Sequence, residues 1–341
     1  MDDLDKFQEA NWTKTVDVFI QVNITKIIDI DTVNQRFQAE AIIESKWHDP
    51  SIKSLNDIID ANKIWRPELY IENAINDVKE DIRYRVITDD QGALYACEIR
   101  KVRGVFFEKL ELESFPLDTQ DLTIVIATKK SGSRISFSLM QPEVQECSIN
   151  INNTLDNSMW RLNNVVKTKK GKLDCEFSFG KREYPLISVT VQAFRSPGFF
   201  YWNAVLPIFL ITLASLGPFV IDYKIPQSRL PSTATMLLTS VSFRWIVGRL
   251  LPTVSYLTSL DKYSLASMML ITFMLFYHAI IAAVYHYFSE EFIYRVDKFA
   301  FLLFCALILV KQVIFYKWIV MRTETREKLV NKSNREFDKN K

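Results

Sequence analysis

Between residues 197 and 320 the chain carries four apolar segments, at about 199–221, 231–251, 264–288 and 299–320. Each is close to the roughly 20 residues that cross a bilayer as a helix. Nothing else in the sequence constrains the fold as strongly, because only closed backbone hydrogen bonding is tolerated in hydrocarbon. Four spans place both ends of the segment on one side. The connection read as a loop at 289–298 is too short to hold a domain. Trp202, Tyr285, Tyr287 and Trp318 fall at span ends, where amphipathic rings favour the membrane interface.

The part before residue 197 has a different grammar. Val16, Val18, Ile20, Val22 and Ile24 alternate with more polar residues, the period of a strand with one buried face. Segments 37–47, 83–86, 94–107, 122–127, 160–166 and 184–193 also read as strands bounded by turn residues. Many short strands with no long helical period imply an all-β sandwich. A short helix is expected ahead of them, capped by Asp2 or Asp3. The expected architecture is therefore a β-sandwich at 1–196, a four-helix transmembrane domain at 197–321 and a basic tail at 322–341.

Composition excludes several functions. The 341 residues carry a net charge of +2, so no basic field points to nucleic acid. Three scattered histidines and four cysteines without metal-type spacing predict no metal and no cofactor. Among the cysteines only Cys147 and Cys175 are candidates for a bridge, and spacing alone cannot establish its geometry. The eight glycines form no phosphate-binding loop and no nucleophile elbow occurs, so an enzyme is not expected.

The second apolar segment differs from the others. Pro231, Thr235, Leu238, Ser242, Trp245 and Arg249 recur at steps of four and three and so share one helical face, mostly polar with one apolar ring. Pro231 suits the first turn of the helix. Several copies around an axis would line a pore with hydroxyls and close it at Leu238. The same stripe could instead be buried inside a bundle, hydrogen-bonding between helices. Arg244 and Arg249 favour the aqueous reading, since a charge at depth needs a cavity or a partner.

The segment Phe115-Pro116-Leu117-Asp118, between two strands, resembles the signature loop of pentameric ligand-gated ion channels, the Cys-loop receptor superfamily. Trp47-His-Asp-Pro50, Ile64-Trp-Arg-Pro67 with Asn73-Ala74, Tyr184-Pro185, Arg195, Pro207 and Leu251-Pro252 match the same family in order. The resemblance covers essentially the whole chain. The family's disulfide would join the positions of Glu108 and Leu122, so this chain is similar to the disulfide-free bacterial branch, as is its short third loop. The missing cross-link removes a constraint typically worth roughly 2 to 4 kcal/mol.

What the resemblance implies is a channel subunit, most simply in a homopentamer, multi-pass in the plasma membrane with its N-terminal domain outside, surrounded by lipid and passing inorganic ions. A small-molecule agonist would bind between subunits, at positions held here by Phe177, Tyr184, Glu72 and Lys129, with Ile42 on the complementary face. Lys129 in place of a ring disfavours a quaternary amine. Glu72 and Lys129 either pair with each other or hold a zwitterionic or anionic ligand. Coupling to the pore would run through Arg195 and Asp118, beside Phe115 and Pro116, with Asp31 or Thr32 on the first β-β loop and the linker from Pro252 to Asp261. Alternatively Arg195 only snorkels at membrane entry. Arg249 would form a basic outer ring favouring anions or weak selectivity. A non-conducting membrane receptor or adhesion module of the same architecture is the competing function, with Trp245 narrowing the face as its best support.

Overall fold

The computed structural model describes residues 15–52, 54, 64–89, 92–130, 135–139, 147–149, 159–174, 183–249 and 254–339. The helix expected at the start, Phe177, Cys175 and Pro252 lie outside these residues. The described chain divides into two compact units, one holding the strands and the other holding Glu111–Thr119 together with Arg195–Leu329.

Among the described residues the first unit has ten strands: β1 Val16–Asp31, β2 Arg36–Trp47, β3 Leu69–Ile71, β4 Lys79–Thr88, β5 Leu94–Phe107, β6 Thr119–Thr128, β7 Ile135–Leu139, β8 Ser148–Ile149, β9 Trp160–Asp174 and β10 Glu183–Arg195. They form a sheet of order β4-β5-β2-β1-β7, with β8 also on β1, and a second sheet of order β3-β6-β10-β9. Val18, Ile20, Val22 and Ile24 of β1 point into a core shared with Leu122, Ile124 and Ile126 of β6 and Ile187, Val189 and Val191 of β10. Two sheets with alternating apolar faces bury each other, which is the sandwich the period-two pattern predicts.

The alternation in β1 stops being readable after Ile24 because the strand carries two bulges against β2, at Ile24/Lys26 and Ile27/Asp29. Each bulge inserts one extra residue. Burial therefore steps by three, from Ile24 to Ile27 to Ile30, and all three remain in the core. The hairpin to β2 is closed by Asp31, whose carboxylate accepts from the Asn34 backbone at 3.0 Å, from Asn34 Nδ2 at 2.7 Å and from Arg36 Nε at 3.1 Å.

The second unit is helical: α1 Gly198–Val220, α2 Pro226–Gly248, α3 Ser259–Val284 and α4 Glu290–Lys339. α1 is interrupted by a π-helical turn at Tyr201–Val205 just before Pro207, and it ends in a 3₁₀ turn, Gly217–Val220. α1, α3 and most of α4 are long and apolar enough to cross a membrane. α2, at 23 residues, is long enough but too rich in hydroxyls and arginines to join them.

Helix limits correct three expectations. α2 begins at Pro226, so Pro226 takes the first-turn position and Pro231 lies inside the helix. Segment 289–298, read as the loop between the third and fourth apolar segments, is already helical from Glu290. The region expected as a basic tail from 322 continues α4 to Lys339. Acidic Glu290 and Glu291 in the first turn of α4 suit the positive end of the helix dipole.

Candidate functional site

The most densely bonded of the expected site residues lie in the second unit, where the segment Glu111–Thr119 meets the start of α1. Phe115–Pro116 is a cis peptide bond. The segment folds on itself through Phe115 N–H to the Leu112 carbonyl at 3.0 Å and Leu117 N–H to the Ser114 carbonyl at 2.8 Å. These turns bury Phe115 and Leu117 and place Asp118 beside Arg195. Arg195 Nε donates to Asp118 Oδ1 at 2.8 Å and Nη2 to Oδ2 at 3.1 Å. Both side chains are almost fully buried, 4 % and 0 % exposed, so this pair is not a snorkelling cation.

Two rings complete the cluster. The guanidinium lies 5.0 Å from the Phe115 ring centre and 5.8 Å from that of Phe200, and the two rings meet edge to face at 4.5 Å. Only a planar fork can bond both carboxylate oxygens and offer a flat face to the rings. α4 adds one contact, Arg326 Nη2 donating to the Arg195 carbonyl at 3.0 Å.

The linker between α2 and α3 reaches this segment by a route the sequence did not reveal. Leu112 N–H donates to the Tyr256 hydroxyl at 2.9 Å, and Ser259 donates to the Glu113 carbonyl from its N–H at 3.1 Å and its hydroxyl at 2.9 Å. Backbone groups of 112 and 113 carry the tie, and backbone has no sequence signature. Just ahead of Ser259, α3 is started by a capping box in which Thr258 and Asp261 exchange hydrogen bonds. Arg244 of α2 approaches Asp261 at 4.0 Å.

Past the end of β5, Glu108 Oε2 accepts from Thr123 N–H at 2.7 Å. A carboxyl just past β5 is thus tied to the middle of β6, next to Leu122. Burial pushes the Glu108 carboxyl up from the usual range, with Asp121 adding to the rise and the Thr123 hydrogen bonds opposing it.

On α2, Pro231, Thr235, Leu238, Ser242, Trp245 and Arg249 are all exposed in the chain, whereas Arg229, Thr233, Ser240 and Val247 are buried against its other helices. Leu238 is 67 % and Trp245 71 % exposed. The Arg249 guanidinium stacks 4.7 Å from the Trp245 ring centre. The base of α2 is fixed by Arg229, which donates to the Pro218 carbonyl at 3.1 Å and to both Asp297 oxygens at 2.9 and 2.8 Å.

The expected ligand residues are less assembled. Tyr184 is half-buried at the start of β10, and Ile42 lies half-buried on β2 in the other sheet. Lys129 N–H bonds the Glu68 carbonyl and Glu72 N–H the Val125 carbonyl, so the two residues flank opposite ends of β3. That register sets their backbones about 13 Å apart along the strand, and among the described residues the two form no ion pair. Asp31 is engaged within its own hairpin: burial raises its carboxyl, but Asn34 and Arg36 outweigh this and hold it below the ordinary value. Thr32 is half-buried next to it.

A family model described as the neurotransmitter-gated ion-channel ligand binding domain matches residues 2–197. Among similar proteins are the neuronal acetylcholine receptor subunit alpha-3 of Homo sapiens, 21% identical over 77% of this chain and 52% of that protein, and subunit alpha-9-II of Oncorhynchus mykiss, 24% identical over 76% and 47%. Subunit alpha-9 of Gallus gallus is 24% identical over 81% and 57%. The chain spans about half the length of these relatives. With a sandwich followed by apolar helices and a signature loop closed on Arg195, the chain belongs to the neurotransmitter-gated ion-channel family, the Cys-loop superfamily of ligand-gated channels.

Proposed function

We propose that the chain is one subunit of a pentameric ligand-gated ion channel, most simply a homopentamer, with residues 1–196 outside the plasma membrane as the ligand-binding domain. Residues 197–321 form its transmembrane four-helix bundle, and 322–341 is a basic tail whose residues to Lys339 continue α4. One observation carries this reading: the face of α2 holding Pro231, Thr235, Leu238, Ser242, Trp245 and Arg249 is left uncovered by the chain's own helices while its opposite face is buried. A helix too polar for lipid and bare along a hydroxyl-rich stripe gains by facing water around an axis. Leu238 then forms the apolar gate.

Binding of a small ligand near Tyr184, Glu72, Lys129 and a neighbour's Ile42 is transmitted by the cluster of Phe115, Pro116, Asp118 and Arg195. From there the Glu113 and Leu112 backbone hands it to the linker 254–258, and the pore helix follows. Asp31 and Thr32, and Pro252 at the start of the linker, are assigned to the same route by their place in the family pattern. Lys129 is exposed and has no carboxylate partner among the described residues, which supports a zwitterionic or anionic agonist over a quaternary amine. The family names receptors and no enzyme, and no catalytic or cofactor role is assigned.

The test is voltage clamp of cells expressing Leu238→Ser. Hydroxyls in place of an apolar gate wet the constriction, so a standing current without agonist is expected. A second reading, a non-conducting receptor of the same build, is favoured by Trp245, whose ring stands out from the same face. Surface-expressed Leu238→Ser and Leu238→Ser/Trp245→Ala that both pass no current would establish that reading instead.

A further inference from the structure

Residues 161–172 hold Arg161, Lys167, Lys169, Lys170 and Lys172 and no acid, five cations in a chain whose net charge is only +2. All five lie on β9, the outermost strand of its four-stranded sheet, with β10 as its neighbour. Arg161, Lys169, Lys170 and Lys172 are exposed, and Lys167 is half-buried. Among the described residues Arg161, Lys167, Lys169 and Lys170 form no ion pair. One or two lysines suffice to keep an edge strand from pairing with another chain. Five, with no acid among them, build a field.

A strand rises about 3.3 Å per residue and its side chains alternate between faces. Lys167 and Lys169 therefore follow one another on one face and Lys170 and Lys172 on the other, each pair about 7 Å apart. These spacings are shorter than the roughly 8 to 10 Å over which salt screens a charge, so the potentials add along the edge. Gly171 lets the strands pack closely within this run, since a Cβ there would meet Leu186 Cδ1 of β10 at 2.9 Å. The four lysines thus stand in a row about 17 Å long on a hydrogen-bonded strand. A single small anion neutralises only part of such a row.

We propose that this edge of the sandwich binds a linear sulfated polysaccharide of the glycosaminoglycan type, its sulfates on Lys167, Lys169, Lys170 and Lys172 and its chain continuing toward Arg161. Sites for single-stranded nucleic acid interleave cations with rings on which bases stack, and residues 161–172 contain no aromatic residue. A flat anionic bilayer draws on cations gathered on one face, whereas these flank the strand on both. Closely spaced sulfates on a flexible chain match a row of lysine point charges. The order Lys169-Lys170-Gly171-Lys172, paired cations with a spacer, is the kind of short basic run that heparin-like chains bind. The proposal rests on residues 1–196 lying outside the membrane and not on ion conduction.

The purified full-length protein is tested on immobilised heparin and on its unsulfated counterpart, heparosan. Binding to heparin far above heparosan is expected. Lys169→Gln/Lys170→Gln should weaken it about tenfold or more, the scale of two lysines near an anionic surface. Lys79→Gln/Lys101→Gln removes the same charge from exposed positions on β4 and β5 and should leave binding nearly unchanged. With heparin bound to the unmodified protein, acetylation of Lys167, Lys169, Lys170 and Lys172 should fall, read by mass spectrometry, while Lys79 and Lys101 stay reactive. Unprotected β9 lysines overturn the proposal whether or not any variant folds. So do equal losses in the two double variants, heparosan binding as strong as heparin binding, and tighter binding of oligo-dT than of heparin. An N-terminal epitope tag probed by antibody on intact cells checks the outside placement separately. A tag hidden until the cells are permeabilised removes the polysaccharide as occupant even where heparin binds.

Discussion

Glu108 shows what it costs to hold a half-buried carboxyl against a neighbouring strand. Its carboxyl is displaced upward by burial from a reference of 4.5, so the folded chain holds that proton to higher pH than the unfolded chain does. Its contribution to stability is therefore present below the ordinary carboxylate range and falls as pH rises through the raised folded value. Glu108→Gln keeps an oxygen to accept from Thr123 and removes the titration. Thermal unfolding of the purified protein between pH 4 and 7.5, on the order of the window just defined, should show the parent losing stability on the neutral side and the variant staying level. A variant with the parent's slope would show that the Glu108 carboxyl does not carry it. Arg195 makes the opposite kind of demand: its charge is already compensated, and its shape is the requirement. Asp118→Asn leaves a buried guanidinium without its counter-charge, a loss of about 3 to 5 kcal/mol in buried pairs. Arg195→Lys keeps the charge but gives up the second bond and the flat face between Phe115 and Phe200. Chemical denaturation should find both variants destabilised, Asp118→Asn the more so.

Among the elements, the base of α2 depends on a pair that links it to α4. Arg229 is 2 % exposed and bonds Asp297, which also accepts from the Tyr277 hydroxyl at 3.0 Å. Asp297→Asn should destabilise the protein by about 3 kcal/mol or more, because the cation stays buried. The double change Arg229→Met/Asp297→Leu should cost less than the sum of the two single changes, read as a coupling in a double-mutant cycle of thermal stabilities. How far elements could be read in advance follows the same logic of local against distant causes. β1, β2, β5, β6 and β10 carry their alternation in their own residues, and α1, α3 and α4 their apolar length. β3, β7 and β8, at three, five and two residues, are too short to show a period, and they exist because a partner strand supplies the hydrogen bonds. Glu290 and Glu291 looked like loop because their charge is a helix-start signal only once the helix is known. Arg195 with Asp118 was legible through the signature loop, whereas the Leu112–Tyr256 and Glu113–Ser259 ties run through backbone that any sequence would provide.

On the scale of the proposed assembly, the proposed conduction depends on groups that a single chain leaves uncovered. On the proposed pentamer the bare face of α2 becomes the wall of an aqueous path, and Arg249 repeats around its outer end. Its position is set by the stack on Trp245 at 4.7 Å, so the charge is carried on a rigid aromatic rather than on a free tether. Fixed like charges around a narrow mouth overlap within the roughly 8 to 10 Å over which salt leaves a charge unscreened, and they raise the local concentration of anions. Arg249→Glu inverts that ring without altering the Leu238 gate. In the Leu238→Ser background, where no agonist is needed, the reversal potential under dilution of external sodium chloride should move toward the chloride equilibrium potential with Arg249 present. Once Arg249→Glu is added to that background, it should move toward the sodium potential instead. A reversal potential that ignores the swap would take selectivity away from Arg249 and assign it to the other end of α2, where Asp222 precedes the helix start.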